Sequence, residues 1–104
     1  MTVSELNVKK LGFGLMRLPE KDGKIDIGQV SRMVDAYMEA GMNYFDTAYV
    51  YHGGHSEREV REALVRRYGR DRFMLATKLP AWCMKEEADR DRIFREQLDR
   101  CGVD

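Results

Sequence analysis

The chain has 104 residues, enough for one small domain with a limited core. Eighteen basic residues balance eighteen acidic ones, so no basic excess points to nucleic acid. No apolar run reaches the roughly 20 residues that cross a bilayer, and Met1 to Lys10 lacks the apolar centre of a signal peptide. Cys83 and Cys101 form neither a CxxC pair nor a disulfide framework, which fits two reduced thiols in a cytoplasmic protein.

Residues 8–18 read as a strand or extended segment interrupted by two glycines, and 19–24 as a polar turn around Asp22-Gly23. Asp26 is the expected cap of a helix whose apolar face carries Ile27, Val30, Met33, Val34, Tyr37 and Met38. Gly41 should end it. Met42 to Asp46 is too short for a helix and reads as a buried strand. A loop follows over 47–55. Ser56 and Glu59 have the spacing of a capping box for a helix carrying Val60, Ala63, Leu64 and Tyr68, ended by Gly69. Phe73 to Lys78 is a second buried strand, stopped by Pro80. A third helix, about Lys85 to Arg100, presents Ile93, Phe94, Leu98 and Cys101, and Gly102 closes it.

Strand, loop, helix and glycine therefore repeat. The glycines at 41, 69 and 102 lie 28 and 33 residues apart, against about 31 per unit in a (β/α)8 barrel. Such alternation implies a parallel sheet with right-handed crossovers. The spacing alone also accommodates a doubly wound sheet. Val103-Asp104 follows a helix-ending glycine, where a fourth strand would begin. The expectation is thus a single incomplete domain over 1–104, a truncated piece of a longer barrel, with a smaller native fold as the alternative.

Asp46 and Lys78 close the two apolar runs, and Tyr51 lies five residues beyond Asp46. In parallel α/β folds the strand C-termini share one rim, where active sites gather. A phenol ordinarily titrates near 10, and an adjacent ammonium stabilises its phenolate. A carboxylate paired with that ammonium keeps it charged and in place. Such a phenol is a general acid for a carbonyl oxygen. A structural Asp–Lys ion pair with a rim tyrosine is the competing reading of the same spacing.

Three segments resemble the aldo-keto reductase family: Gly12-Phe13-Gly14-Leu15-Met16-Arg17-Leu18-Pro19; Phe45-Asp46-Thr47-Ala48-Tyr49-Val50-Tyr51 with the following Gly-Gly-x-Ser-Glu; and Ala76-Thr77-Lys78. Their order and spacing match, and the resemblance covers nearly the whole chain. The opening segment is similar to that of the bacterial branch carrying a C-terminal iron–sulfur segment. The resemblance implies the N-terminal part, about three βα units, of a (β/α)8 barrel. It implies NADPH-dependent reduction of small-molecule aldehydes or ketones, with Tyr51 as general acid, Lys78 as its activator and Asp46 as the partner of Lys78. Gly14, Leu15, Met16, Arg17 and Asp46 match positions beside the nicotinamide and its ribose. Trp82 is placed either as a wall of the substrate pocket or as a hydrophobic plug in its loop.

The family's fourth catalytic residue, a histidine on the fourth strand, has no counterpart, and neither His52 nor His55 takes its place. The later loops that hold the cofactor's phosphates are absent as well. The 104-residue chain alone is therefore expected to be inactive and to bind NADPH poorly. It holds no cysteine group for an iron–sulfur cluster, which only a longer parent chain would supply. A non-catalytic cofactor-sensing or scaffold member of the same fold is the rival function. Other signals carry less. The glycines at 12 and 14 open like GxGxxG but run into a turn with Arg17 at the third glycine position. His52-Gly53-Gly54-His55 resembles the HGGG loop of esterases without a GxSxG elbow. The same histidines with Asp46 or Glu57 form a zinc candidate, less favoured than a solvated loop. The charge clusters 57–67 and 86–100 alternate in sign, as solvent faces of helices do.

Overall fold

A computed structural model describes residues 7–104. Three short strands, β1 (Gly12–Gly14), β4 (Tyr44–Asp46) and β5 (Met74–Ala76), form one parallel sheet in the order β1-β4-β5. Gly14, Asp46 and Ala76 stand in register, so all three strands end at one level. Hydrogen bonds continue the ladder one residue further, from Leu15 N to Asp46 O and from Thr47 N to Ala76 O, both at 2.8 Å. Residues 15, 47 and 77 therefore begin a common rim.

Helix α1 (Ile27–Glu39) crosses from β1 to β4. Asp26 caps it as expected, accepting from Gln29 N at 3.2 Å. Val30, Val34, Tyr37 and Met38 are buried; Ile27 and Met33, on the margin of the same stripe, stay partly exposed. Phe45, the midpoint of the central strand, is fully buried. The Tyr37 ring meets it edge-on at 5.0 Å and Phe13 lies at 5.4 Å. Such pairs add about 0.5–1.5 kcal/mol each beyond area burial. The Tyr37 hydroxyl also accepts from Tyr44 N at 3.2 Å and reaches the carbonyls of Tyr44 and Leu11. It pins α1 to two strands at their N-terminal ends.

The second crossover starts with α2 (Ser56–Val60), which runs into a π-helical turn over Arg61–Val65. Val60, Ala63 and Leu64 bury against the sheet. The third helix, α3 (Glu87–Cys101), packs beside α2.

Four expectations need correction. The turn over 19–24 is a small antiparallel hairpin, β2 (Glu20–Lys21) and β3 (Lys24–Ile25), turned by Asp22 and Gly23 at φ of 54° and 77°. Ser56 and Glu59 form no capping box. His55 occupies the cap position without a side-chain bond, because the Ser56 hydroxyl is buried and used elsewhere. A capping box forms instead at Glu86 and Asp89, ahead of α3. Gly69 is not a left-handed helix end: its φ is −62°, whereas Gly102 does close α3 at φ 76°. On α3 the buried stripe is Ile93, Gln97 and Cys101, while Phe94 is half exposed.

Candidate active site

Asp46 ends β4, and the chain then turns over the rim. Thr47 and Ala48 are buried beneath that turn. His52, Gly53 and Gly54 follow one another with φ of 54°, 61° and 93°. This left-handed run folds the loop back into α2. Glycine suits two of the three positions. Tyr51 is thereby held above the strand ends.

Lys78 reaches the same point from beyond β5. Its Nζ donates to Tyr51 Oη at 2.8 Å, to Asp46 Oδ1 at 3.0 Å and to Thr47 O at 3.1 Å. An ammonium has three protons, so all its donors are engaged. Partial burial alone would lower the Lys78 pKa. The hydrogen bonds to Tyr51 and Asp46 outweigh that, and the net direction is upward. Lys78 is thus held as a cation. Because Tyr51 Oη accepts from Lys78, its own hydrogen is left to point elsewhere. Asp46 and Lys78 remain 40% and 51% exposed, so the pair itself contributes little stability; its value is orientation.

The sequence-predicted residues Asp46, Tyr51 and Lys78 therefore converge. Gly14, Met16 and Arg17 are exposed beside Asp46, Met16 at 54%. Leu15 differs. Its side chain is fully buried, and its N–H and C=O are bound to Asp46 O and Ser56 Oγ. It anchors the segment and offers it no surface. Trp82, in a 3-10 turn over Ala81–Cys83, is 74% exposed and faces solvent.

Below the rim lies polar support that the sequence reading missed. Thr47 Oγ1 and Ser56 Oγ are 2.7 Å apart, and Ser56 donates to Leu15 O at 3.0 Å. Gln97 Nε2 donates to Lys78 O at 2.7 Å and to Thr77 Oγ1 at 3.3 Å. Thr77 in turn donates to Glu57 Oε2 at 2.7 Å. Glu57 is fully buried. Burial raises its carboxyl pKa, with Thr77 and the Arg100 guanidinium 3.5 Å away opposing. Arg100 also lies over the Tyr49 ring at 4.1 Å and pairs with Glu96 at 2.7 Å. Cys101, beside Glu57, has its thiol pushed up to about 12 by burial, so it is no nucleophile. One sequence signal for Gln97 existed: Ile93, Gln97 and Cys101 fall at intervals of four, on one helical face.

Among the described residues no three His, Cys, Asp or Glu side chains form a metal-binding group, and no helix is long and apolar enough to cross a membrane.

Known proteins resemble this chain in sequence and fold. The norsolorinic acid reductase of Aspergillus flavus is 41% identical over 56 residues, covering 54% of this chain and 14% of that protein. Norsolorinic acid reductase B of Dothistroma septosporum is 33% identical over 95 residues, covering 86% of this chain and 24% of that protein. The chain thus spans between a seventh and a quarter of the length of these curated relatives. A holo-form aldo-keto reductase from Bacillus halodurans superposes with a TM-score of 0.70 at 30% identity, over 93% of this chain and 33% of that structure. A thermostable aldo-keto reductase crystallised with epalrestat, 21% identical, shares the fold at a TM-score of 0.70 over 89% of this chain and 34% of its own. The three parallel βα units are accordingly part of a (β/α)8 barrel. With the sequence profile described as "Aldo/keto reductase family" matching residues 10–104, the chain belongs to the aldo/keto reductases.

Proposed function

We propose that Asp46, Tyr51 and Lys78 are the proton-donating part of an NADPH-dependent reductase of small aldehydes or ketones. The observation that carries this reading is the saturated Lys78 ammonium, 2.8 Å from Tyr51 Oη. Tyr51 gives its proton to the carbonyl oxygen, and Lys78 stabilises the negative charge left on the phenol. Asp46 and Thr47 O hold Lys78 in the one position where it serves this purpose. A merely structural ion pair has no need of the third bond to a phenol.

The exposed surface beside Asp46 fits the nicotinamide end of the cofactor. Met16 offers an apolar face, Arg17 a cation and Asp46 a hydroxyl acceptor. A Cβ added at Gly14 would meet nothing within 4 Å, so the floor there is open. Leu15 holds this surface from below. When bound, NADPH supplies the hydride that reaches the carbonyl carbon. Trp82, standing free on the loop after Lys78, walls the substrate side. The protein acts in the cytoplasm, as its reduced thiols and the small-molecule reaction suit. The activity belongs to a barrel completed around these three units, and the 104-residue chain alone neither turns over nor binds NADPH stoichiometrically.

Tyr51→Phe in the completed barrel tests the assignment. Carbonyl-dependent NADPH oxidation should fall by about 10²–10⁴ in kcat, with cofactor affinity preserved. A variant within a few-fold of the parent would end the catalytic assignment and leave the scaffold reading. Calorimetry of the isolated chain tests the rest: a one-to-one NADPH isotherm would contradict it.

A further inference from the structure

We propose that His52 is a positioning residue that ties the Tyr51 loop to the Gly14–Leu18 segment only while its imidazole is neutral. The inference rests on the reading of Tyr51 as the acid, and its test does not need activity. His52 is the one non-glycine in the left-handed run over 52–54, at φ 54°. That conformation is uncommon for residues with a Cβ, although His, like Asn and Asp, tolerates it better than most. Its side chain is only 11% exposed. Nε2 accepts from Leu18 N at 2.9 Å, across 34 residues of chain.

That bond fixes the tautomer. Nε2 must be bare to accept, so the ring hydrogen sits on Nδ1, which faces Glu20 Oε1 at 3.5 Å. Three bonds stitch the two segments together: Leu15 N to Asp46 O, Ser56 Oγ to Leu15 O, and Leu18 N to His52 Nε2. The first two come from groups that do not titrate near neutrality. Only the third includes a group whose ordinary range crosses it. Protonation places a hydrogen on Nε2 opposite the Leu18 N–H, and the bond is lost. Tyr51, next in the chain, loses its anchor on that side, as does the segment beside Asp46.

Four charged or titratable groups face His52. They are Glu20 and Lys24 of the hairpin, Glu59 of α2 and the neighbouring His55. These side chains, with Gly23 and Ile25, line a cleft between the hairpin and the loop, through which water reaches the ring.

Nuclear magnetic resonance of the 104-residue chain tests this directly. The His52 ring nitrogens report its tautomer and titration, the Leu18 amide its protection from exchange, and the Tyr51 ring its surroundings. The expected result is the Nδ1–H tautomer at high pH. Protonation should lower the Leu18 protection factor about tenfold, and Tyr51 ring signals should shift with the same midpoint. His52→Gln, which keeps a neutral acceptor at similar reach, should protect Leu18 without titration; His52→Ala should leave it unprotected at every pH. A Leu18 amide indifferent to the His52 titration, or equally protected in His52→Ala, overturns the proposal. So does a Tyr51 ring that ignores a titration Leu18 follows. Should His52→Ala not fold, the parent and His52→Gln still decide. Repeating the titration in Tyr51→Phe keeps the two readings apart, because the His52–Leu18 coupling persists there whatever the kinetic role of Tyr51.

Discussion

Ser56 gives the sharpest discrimination between what its sequence position suggests and what its surroundings make it. A helix cap accepts from the backbone, and replacing it by alanine costs about 1 kcal/mol, while aspartate substitutes with little loss. Here Ser56 is fully buried and has one proton to give. It donates that proton to Leu15 O, so the Thr47 hydroxyl donates to Ser56. Ser56→Ala removes both bonds and strands a buried hydroxyl and a carbonyl. At about 1–3 kcal/mol for each orphan, the sum is about 2–6 kcal/mol. Ser56→Asp is worse, because a carboxylate placed there is buried with no cation to meet it. Urea and thermal unfolding of the three proteins, followed by circular dichroism, measure this. The expected order of stability is parent, Ser56→Ala, Ser56→Asp, with a fall in Tm above about 10 °C for the alanine variant. A Ser56→Asp protein as stable as the parent would show that Ser56 is a cap after all.

Glu57 predicts a pH dependence. Its folded pKa is raised above the ordinary 4.5 by burial, so upward from about pH 4.5 the folded chain keeps a proton that the unfolded chain has released. Stability should therefore fall as pH rises through that window, relative to Glu57→Gln, which removes the titration; a parent–variant difference that is flat from about pH 4 to 7 would contradict it. Gly102→Ala should cost about 1–2 kcal/mol in the same unfolding assay, because φ is 76° and the new Cβ would meet Arg61 Cγ at 3.0 Å. Gly14→Ala, with nothing within 4 Å of its Cβ, is the control and should be much nearer the parent.

The architecture was legible because it is periodic. Val30, Val34, Tyr37 and Met38 at helical spacing, and apolar runs too short for a helix, need only local rules. The hairpin at 20–25 was hidden because its strands have two residues each and expose Glu20, Lys21 and Lys24. No alternation can develop over so short a span, and Asp22-Gly23 alone signals a turn without saying what it joins.

The site divides along a similar line. Asp46 and Lys78 were visible because each ends an apolar run, and strand ends in a parallel sheet share a rim. Their support was not visible, because polar residues on amphipathic helices are read by default as solvent-facing. Glu57 sits in a cluster of alternating charge, and Gln97 follows Glu96. What buries them is a demand created by the fold: the Thr77 hydroxyl and the Lys78 carbonyl meet two helices beyond the end of β5 and must be satisfied. A hydrophobic pattern shows where a helix faces the core but not where that core ends in a strand terminus with unpaired polar groups. The proposed catalytic side chains can therefore be read from their own positions, whereas the residues that aim them are chosen by partners elsewhere in the chain, 19 positions away for Gln97 and Lys78 and 41 for Ser56 and Leu15.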